Sequence, residues 1–140
     1  MIAEFWKDHT REQLEEFLNS HPLVLLELGT EWCGPCRTFK EFMRENEELF
    51  VAGVKKTLRE NGAEEEAVQV ACVDCDEFEG FARAFDLDAY PTFVVKYKGW
   101  RVRTFSGLKN DPLSLLKTLV ECVVGVVVAV SKGKTDMFRS

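Results

Sequence analysis

The segment Trp32-Cys33-Gly34-Pro35-Cys36 follows closely on a short apolar run at residues 23–28, and no other feature constrains the chain as much. Two cysteines separated by two residues, set where a strand turns into a helix, supply an attacking thiol and a second thiol within reach of the mixed disulfide it forms. The first of them meets the unpaired N–H groups and the positive dipole end of the helix, which favour a thiolate. Gly34 and Pro35 keep the pair in a tight turn, and proline in the first helical turn gives up no hydrogen bond. A dithiol reduces a disulfide when one sulfur is a thiolate near neutral pH and the second can attack the mixed disulfide. Cys33 is therefore read as the nucleophile and Cys36 as the resolving thiol.

The competing reading is a zinc site made of Cys33, Cys36, Cys72 and Cys75. The 35 residues between the two C-x-x-C pairs far exceed the spacing of a zinc ribbon, so no metal is expected. Five cysteines are too few and odd in number for a small secreted disulfide framework. With 140 residues, 46% of them hydrophobic, the chain can bury the core of a single domain. That domain is placed over residues 1–140, with a core at about 10–124 and a C-terminal extension at 125–140. A net charge of −6 excludes a phosphate-backbone partner, which needs clustered cations. Residues 1–8 show no basic stretch leading into an apolar one, so no secretory signal is predicted and a cytoplasmic location is expected. The strongly apolar stretch 122–130 is nine residues long, short of the roughly 20 of a membrane span.

The hydrophobic pattern gives the order α, β, α, β, α, β, β, α. Thr10 caps a helix through Leu18, and residues 23–28 read as a central strand covered on both faces, with Glu27 as its anomaly. A long helix runs from Cys36 to about Glu60, in one piece or in two meeting near Gly53. Residues 67–73 form a second buried strand, and residues 76–85 a further helix. A hairpin joins 92–97 to 101–105 across Lys98-Gly99, and Asp111-Pro112 opens the last helix. Residues 126–130 admit an edge strand, a helical extension or a partner-binding segment.

The motif and its setting resemble the thioredoxin family from about Leu23 to Val123. That resemblance implies an α/β thioredoxin fold, a central mixed sheet of four to five strands with helices on both faces. It also implies an exposed Cys33, a deeper Cys36 and a cis-proline facing them, for which Tyr90-Pro91-Thr92 is the counterpart. Glu27, six residues before the nucleophile, matches the family's buried carboxylate. Burial raises such a group's pKa and lets it exchange a proton with the resolving thiol. Trp32, Tyr90, Pro91, Ser106 and Gly107 would line the groove that accepts a substrate chain. The expected activity is reduction of protein disulfides, with an upstream reductase such as a thioredoxin reductase and no cofactor beyond the Cys33–Cys36 disulfide.

Some positions depart from the pattern. The segment between Cys36 and Pro91 is about fourteen residues longer than in typical thioredoxins, and Glu41 stands where a proline commonly kinks the active-site helix. Cys72 replaces the lysine that pairs with the buried carboxylate in many members. Glutamate at position 27 resembles disulfide isomerase domains, whereas Gly34-Pro35 favours a reductase. An isomerase-like domain of a secretory compartment and a non-catalytic binding module are the alternatives. Cys72 and Cys75 are expected to be free buried thiols, and Cys122 buried or half-buried.

Overall fold

The computed structural model describes residues 2–108 and 111–133. Its elements run β1 (Ala3–Phe5), α1 (Arg11–Ser20), β2 (Leu23–Gly29), α2 (Gly34–Glu60), β3 (Gln69–Asp74), α3 (Glu79–Ala82), β4 (Thr92–Tyr97), β5 (Trp100–Ser106) and α4 (Pro112–Ser131). The five strands form one sheet in the order β1-β3-β2-β4-β5. β1, β3 and β2 are parallel, while β4 and β5 are antiparallel to their neighbours. This is the expected α/β thioredoxin fold with a five-stranded mixed sheet, whose short edge strand β1 is too brief to leave a pattern in the sequence.

The apolar run of β2 is buried along its whole length because it occupies the middle of the sheet with helices on both faces. Leu25, Phe93, Val95 and Cys72 pack beneath α2 and α4, whose Phe39, Met43, Phe50, Leu119 and Val123 fill that side. Leu26, Leu28, Val73 and Val94 face the other way, onto Leu14 and Leu18 of α1 and onto Phe81.

Thr10 caps α1 through a capping box with Gln13, as its spacing suggests. The C-terminal end of α1 is held by an unexpected group, the buried ammonium of Lys96 on β4. It donates to the carbonyls of Leu18 and His21, the latter at 2.7 Å.

α2 is a single unbroken helix of 27 residues. Gly53 does not divide it. A Cβ there would stand 3.3 Å from Val120 Cγ2, so the glycine marks the close crossing of α4 over α2. The helix expected over residues 76–85 is confined to Glu79–Ala82 and a 3-10 turn at Arg83–Phe85. Asp74 takes the preceding residues into a turn, its carboxylate accepting from the Asp76 N–H at 3.0 Å and its carbonyl from the Phe78 N–H at 3.0 Å.

Residues 126–130 continue α4, and of the three readings offered the helical one holds. Residues 134–140 of the proposed extension lie outside the described residues. As one helix, Pro112–Ser131 is long and apolar enough to cross a bilayer. Leu115, Leu119, Val123 and Val127 on it are buried against the sheet and α2.

Replacing Lys96 by Met keeps the packed stem but leaves the Leu18 and His21 carbonyls without their donor. We expect a loss of about 2–4 kcal/mol in denaturant unfolding. A loss under about 0.5 kcal/mol would show that water replaces the ammonium at no cost.

Candidate active site

The dithiol sits where β2 leaves the sheet and α2 begins. Cys33 is the N-cap of α2, and Pro35 lies in the first turn, where its missing N–H is not needed. The two sulfurs are joined in a disulfide with Cα atoms 5.3 Å apart. The Cys36 N–H donates to Cys33 Sγ at 3.2 Å, so a backbone dipole points at the outer sulfur. The order of depth is the expected one, 5% exposure for Cys33 against 1% for Cys36. Cys33 is less open than the resemblance implied, because its bond to Cys36 draws the sulfur in against the helix start.

Behind the disulfide lies Glu27, only 1% exposed in the middle of β2. Burial in this dry setting pushes its carboxyl up to about 8, opposed by the positive charge of Lys40 and assisted by the negative charge of Glu4. Its Oε2 and the hydroxyl of Thr30 have no hydrogen-bond partner among the described residues. Gly29 explains how the carboxyl approaches the sulfur. A Cβ at that residue would fall 2.5 Å from Cys36 Sγ and 2.6 Å from Glu27 Oε1. The absent side chain is thus the space across which acid and thiol face each other.

The outer surface is built from three loops. Trp32 is 68% exposed and donates from Nε1 to Asp76 Oδ2 at 3.1 Å. Its ring meets Tyr90 edge-on at 5.9 Å. The Tyr90–Pro91 peptide is cis, and the Pro91 carbonyl accepts from the Gly107 N–H at 2.8 Å. Ser106 and Thr92 share a hydroxyl hydrogen bond of 2.8 Å, which ties the start of β4 to the end of β5. Gly34, Pro35, Tyr90 and Gly107, with Arg37, Thr38, Glu41 and Leu108, line a cleft of about 650 Å³. The structure therefore brings the sequence-derived residues together around one disulfide.

Several neighbours were not singled out in the sequence. Gly29, Asp76, Arg37 and Leu108 carry no motif of their own, although Gly29 lies two residues beyond the anomalous Glu27. Lys40 was also missed, and with it the cation near the buried carboxyl. That cation is supplied by α2, one turn beyond Cys36. Cys72 and Cys75 are buried free thiols, and burial drives both upward, Cys75 to about 12. Cys122 is half-buried. No group of three or more His, Cys, Asp or Glu side chains among the described residues is placed to hold a metal.

The Thioredoxin family model matches residues 5–120. Among similar proteins is the thioredoxin H-type of Picea mariana, 29% identical over 107 residues, covering 74% of this chain and 70% of the relative. The thioredoxin of Equus caballus is 27% identical, covering 74% of this chain and 87% of its own length. In fold, the chain superposes on the thioredoxin of Plasmodium falciparum with a TM-score of 0.62 at 22% identity, over 86% of this chain and 98% of the other.

Two outcomes follow from the packing at Gly29 and Glu27. Gly29→Ala forces a methyl into the sulfur and the carboxylate, and should destabilise the oxidised protein by about 1–3 kcal/mol in thermal unfolding. An unchanged melting temperature would show that the space is wider than described. Glu27 keeps its proton in the folded state to about 8 and loses it near the ordinary carboxylate value when unfolded. Its contribution is therefore complete below the ordinary value and disappears as pH rises through that window, by up to about 1.4 kcal/mol per pH unit. Glu27→Gln should flatten the fall, as denaturation of the oxidised protein at pH 5 and pH 8 will measure.

Proposed function

Because the chain belongs to the thioredoxin family and carries the Cys33–Cys36 disulfide at the start of α2, it is a thiol–disulfide oxidoreductase of protein disulfides, and we propose that Cys33 attacks the substrate while Cys36 releases it. The observation that carries this assignment is the asymmetry of the pair. Cys33 sits at the helix N-terminus with a backbone N–H on its sulfur, and Cys36 faces the buried Glu27 across Gly29.

The steps follow from that asymmetry. In the reduced protein, the Cys33 thiolate attacks one sulfur of a substrate disulfide and expels the other as a thiolate, which takes up a proton from water. A mixed disulfide between Cys33 and the substrate results. Ionised Glu27 accepts the proton of the Cys36 thiol, and the Cys36 sulfur attacks Cys33 Sγ. The second substrate thiolate leaves, and two electrons have passed from the dithiol to the substrate. No bound cofactor is required, since the electrons reside in the two sulfurs. An upstream reductase of the thioredoxin reductase kind would restore the dithiol by exchange at the same bond.

Trp32, Tyr90, Pro91, Ser106 and Gly107 are proposed to seat the substrate chain. The exposed indole and the cleft beside Pro35 offer apolar contact, and the turn at Tyr90-Pro91 offers backbone groups for an extended segment. A reducing compartment such as the cytoplasm is the proposed setting, in keeping with three further thiols that remain free. Glutamate at position 27, Cys75 and the longer helical region favour an isomerase-like domain. Gly34-Pro35 between the cysteines favours the reductase, and measurement of the reduction potential separates the two.

Cys36→Ser should accumulate a stable mixed disulfide on Cys33 with protein substrates, and Cys33→Ser should trap none. In rapid mixing, Glu27→Gln should slow release of the mixed disulfide by about 100-fold while leaving its formation intact, the size of effect expected of a proton acceptor. Release at the parental rate would remove Glu27 from the reaction.

A further inference from the structure

The register of the sheet puts an unusual set of groups in one line. Glu4 on β1 stands opposite Cys72 on β3, and Cys72 stands opposite Glu27 on β2. Register partners point to the same face, so the three side chains form a row beneath α2. Lys40 of α2 comes down over this row and is 7% exposed. Its Nζ lies 3.8 Å from Glu4 Oε1 and 3.6 Å from the centre of the Trp6 ring. Arg44, one turn further along α2, holds Glu4 from the solvent side at 3.1 Å.

An ammonium this dry is costly unless carboxylates or an aromatic face answer it. Glu4 and Trp6 answer from the N-terminal segment, while the second carboxyl of the row is Glu27. Between them Cys72 is a neutral spacer, since burial holds its thiol protonated. The other groups near Glu27 are Cys36 from α2 and the uncharged Phe93 opposite it on β4, while Cys75 packs beyond β3 on the other face of the sheet. Lys40 is therefore the cation whose charge acts on the buried acid, and Glu4 is the carboxylate that draws it away.

We propose that Glu4 and Lys40 are positioning residues of the dithiol site: Glu4 on β1 competes with Glu27 for the Lys40 ammonium, and the balance between the two governs how readily Glu27 takes the proton of Cys36. The N-terminal strand is then a working part of the redox centre rather than only a sheet edge. This rests on the reading of Glu27 as proton acceptor given above, and the two can fail separately.

The experiment is a carboxyl titration of Glu27 in the full oxidised chain, by infrared difference spectroscopy or carbon NMR, together with the pH profile of mixed-disulfide release. Lys40→Met removes the cation and should move the Glu27 midpoint up by about 1 pH unit. Glu4→Gln removes a negative neighbour and frees the ammonium, and should move the midpoint down. Lys40→Arg should restore it toward the parental value. The release profile should shift in the same directions. Opposite shifts support the proposal, because loss of packing alone would not reverse sign between two partners of one ion pair. A Glu27 midpoint that stays in place in both variants overturns it, whatever happens to stability. Should Lys40→Met fail to fold, the half-exposed Glu4→Gln carries the same test. Unchanged release in Glu27→Gln would overturn the underlying reading instead, independently of where the midpoints fall.

Discussion

A carboxyl group in the interior of a sheet must either keep its proton or find a charge to answer it, and Glu27 stands between these solutions. It has no hydrogen-bond partner on Oε2 among the described residues, and the positive group that acts on it is shared with another carboxylate. The fold could have avoided the conflict with a leucine. It accepts the conflict at the one place where a proton must be moved, the point where the strand reaches the buried sulfur of Cys36. The parallel register that aligns Glu4, Cys72 and Glu27, the missing side chain at Gly29 and the position of Lys40 one turn into α2 all bear on this single group.

The elements were legible in the sequence where burial imposed a regular pattern. The continuous run of β2, the hairpin of β4 and β5 and the capped starts of α1 and α4 all follow from local chemistry that the tertiary structure reinforces. The misses have equally local causes. β1 is three residues long and offers no period to detect. The helix around Phe81 is shortened because Asp74 captures the next backbone N–H groups for a turn, and side-chain competition of this kind does not show in hydrophobic spacing.

The site was legible in a different way. Cys33, Cys36 and Pro91 announce themselves through chemistry that few other positions could use, and Glu27 through being charged in a strand otherwise apolar. What could not be read was the set of long-range neighbours. Lys40 looks like one more cation on an amphipathic helix, and only the sheet register shows that it lies over two carboxyls. Cys72 is no cation, and the positive charge that acts on Glu27 comes from another element, α2. Physical roles in a core belong to locations, and different strands or helices can fill them.

Burial of the remaining thiols has a consequence for chemical selectivity. The chain has five sulfurs capable of exchange, and a protein that handles disulfides repeatedly risks scrambling its own. Attack requires a thiolate, and desolvation keeps both Cys72 and Cys75 protonated. Cys122 is half-covered, and its thiol too is pushed upward by burial. Peroxides and foreign disulfides therefore meet one reactive pair, and damage that climbs the oxidation ladder begins at Cys33, where a neighbouring thiol can reverse its first rung. The core thus insulates the exchange chemistry, confining electron traffic to a single bond in a molecule with sulfur on both sides of its sheet.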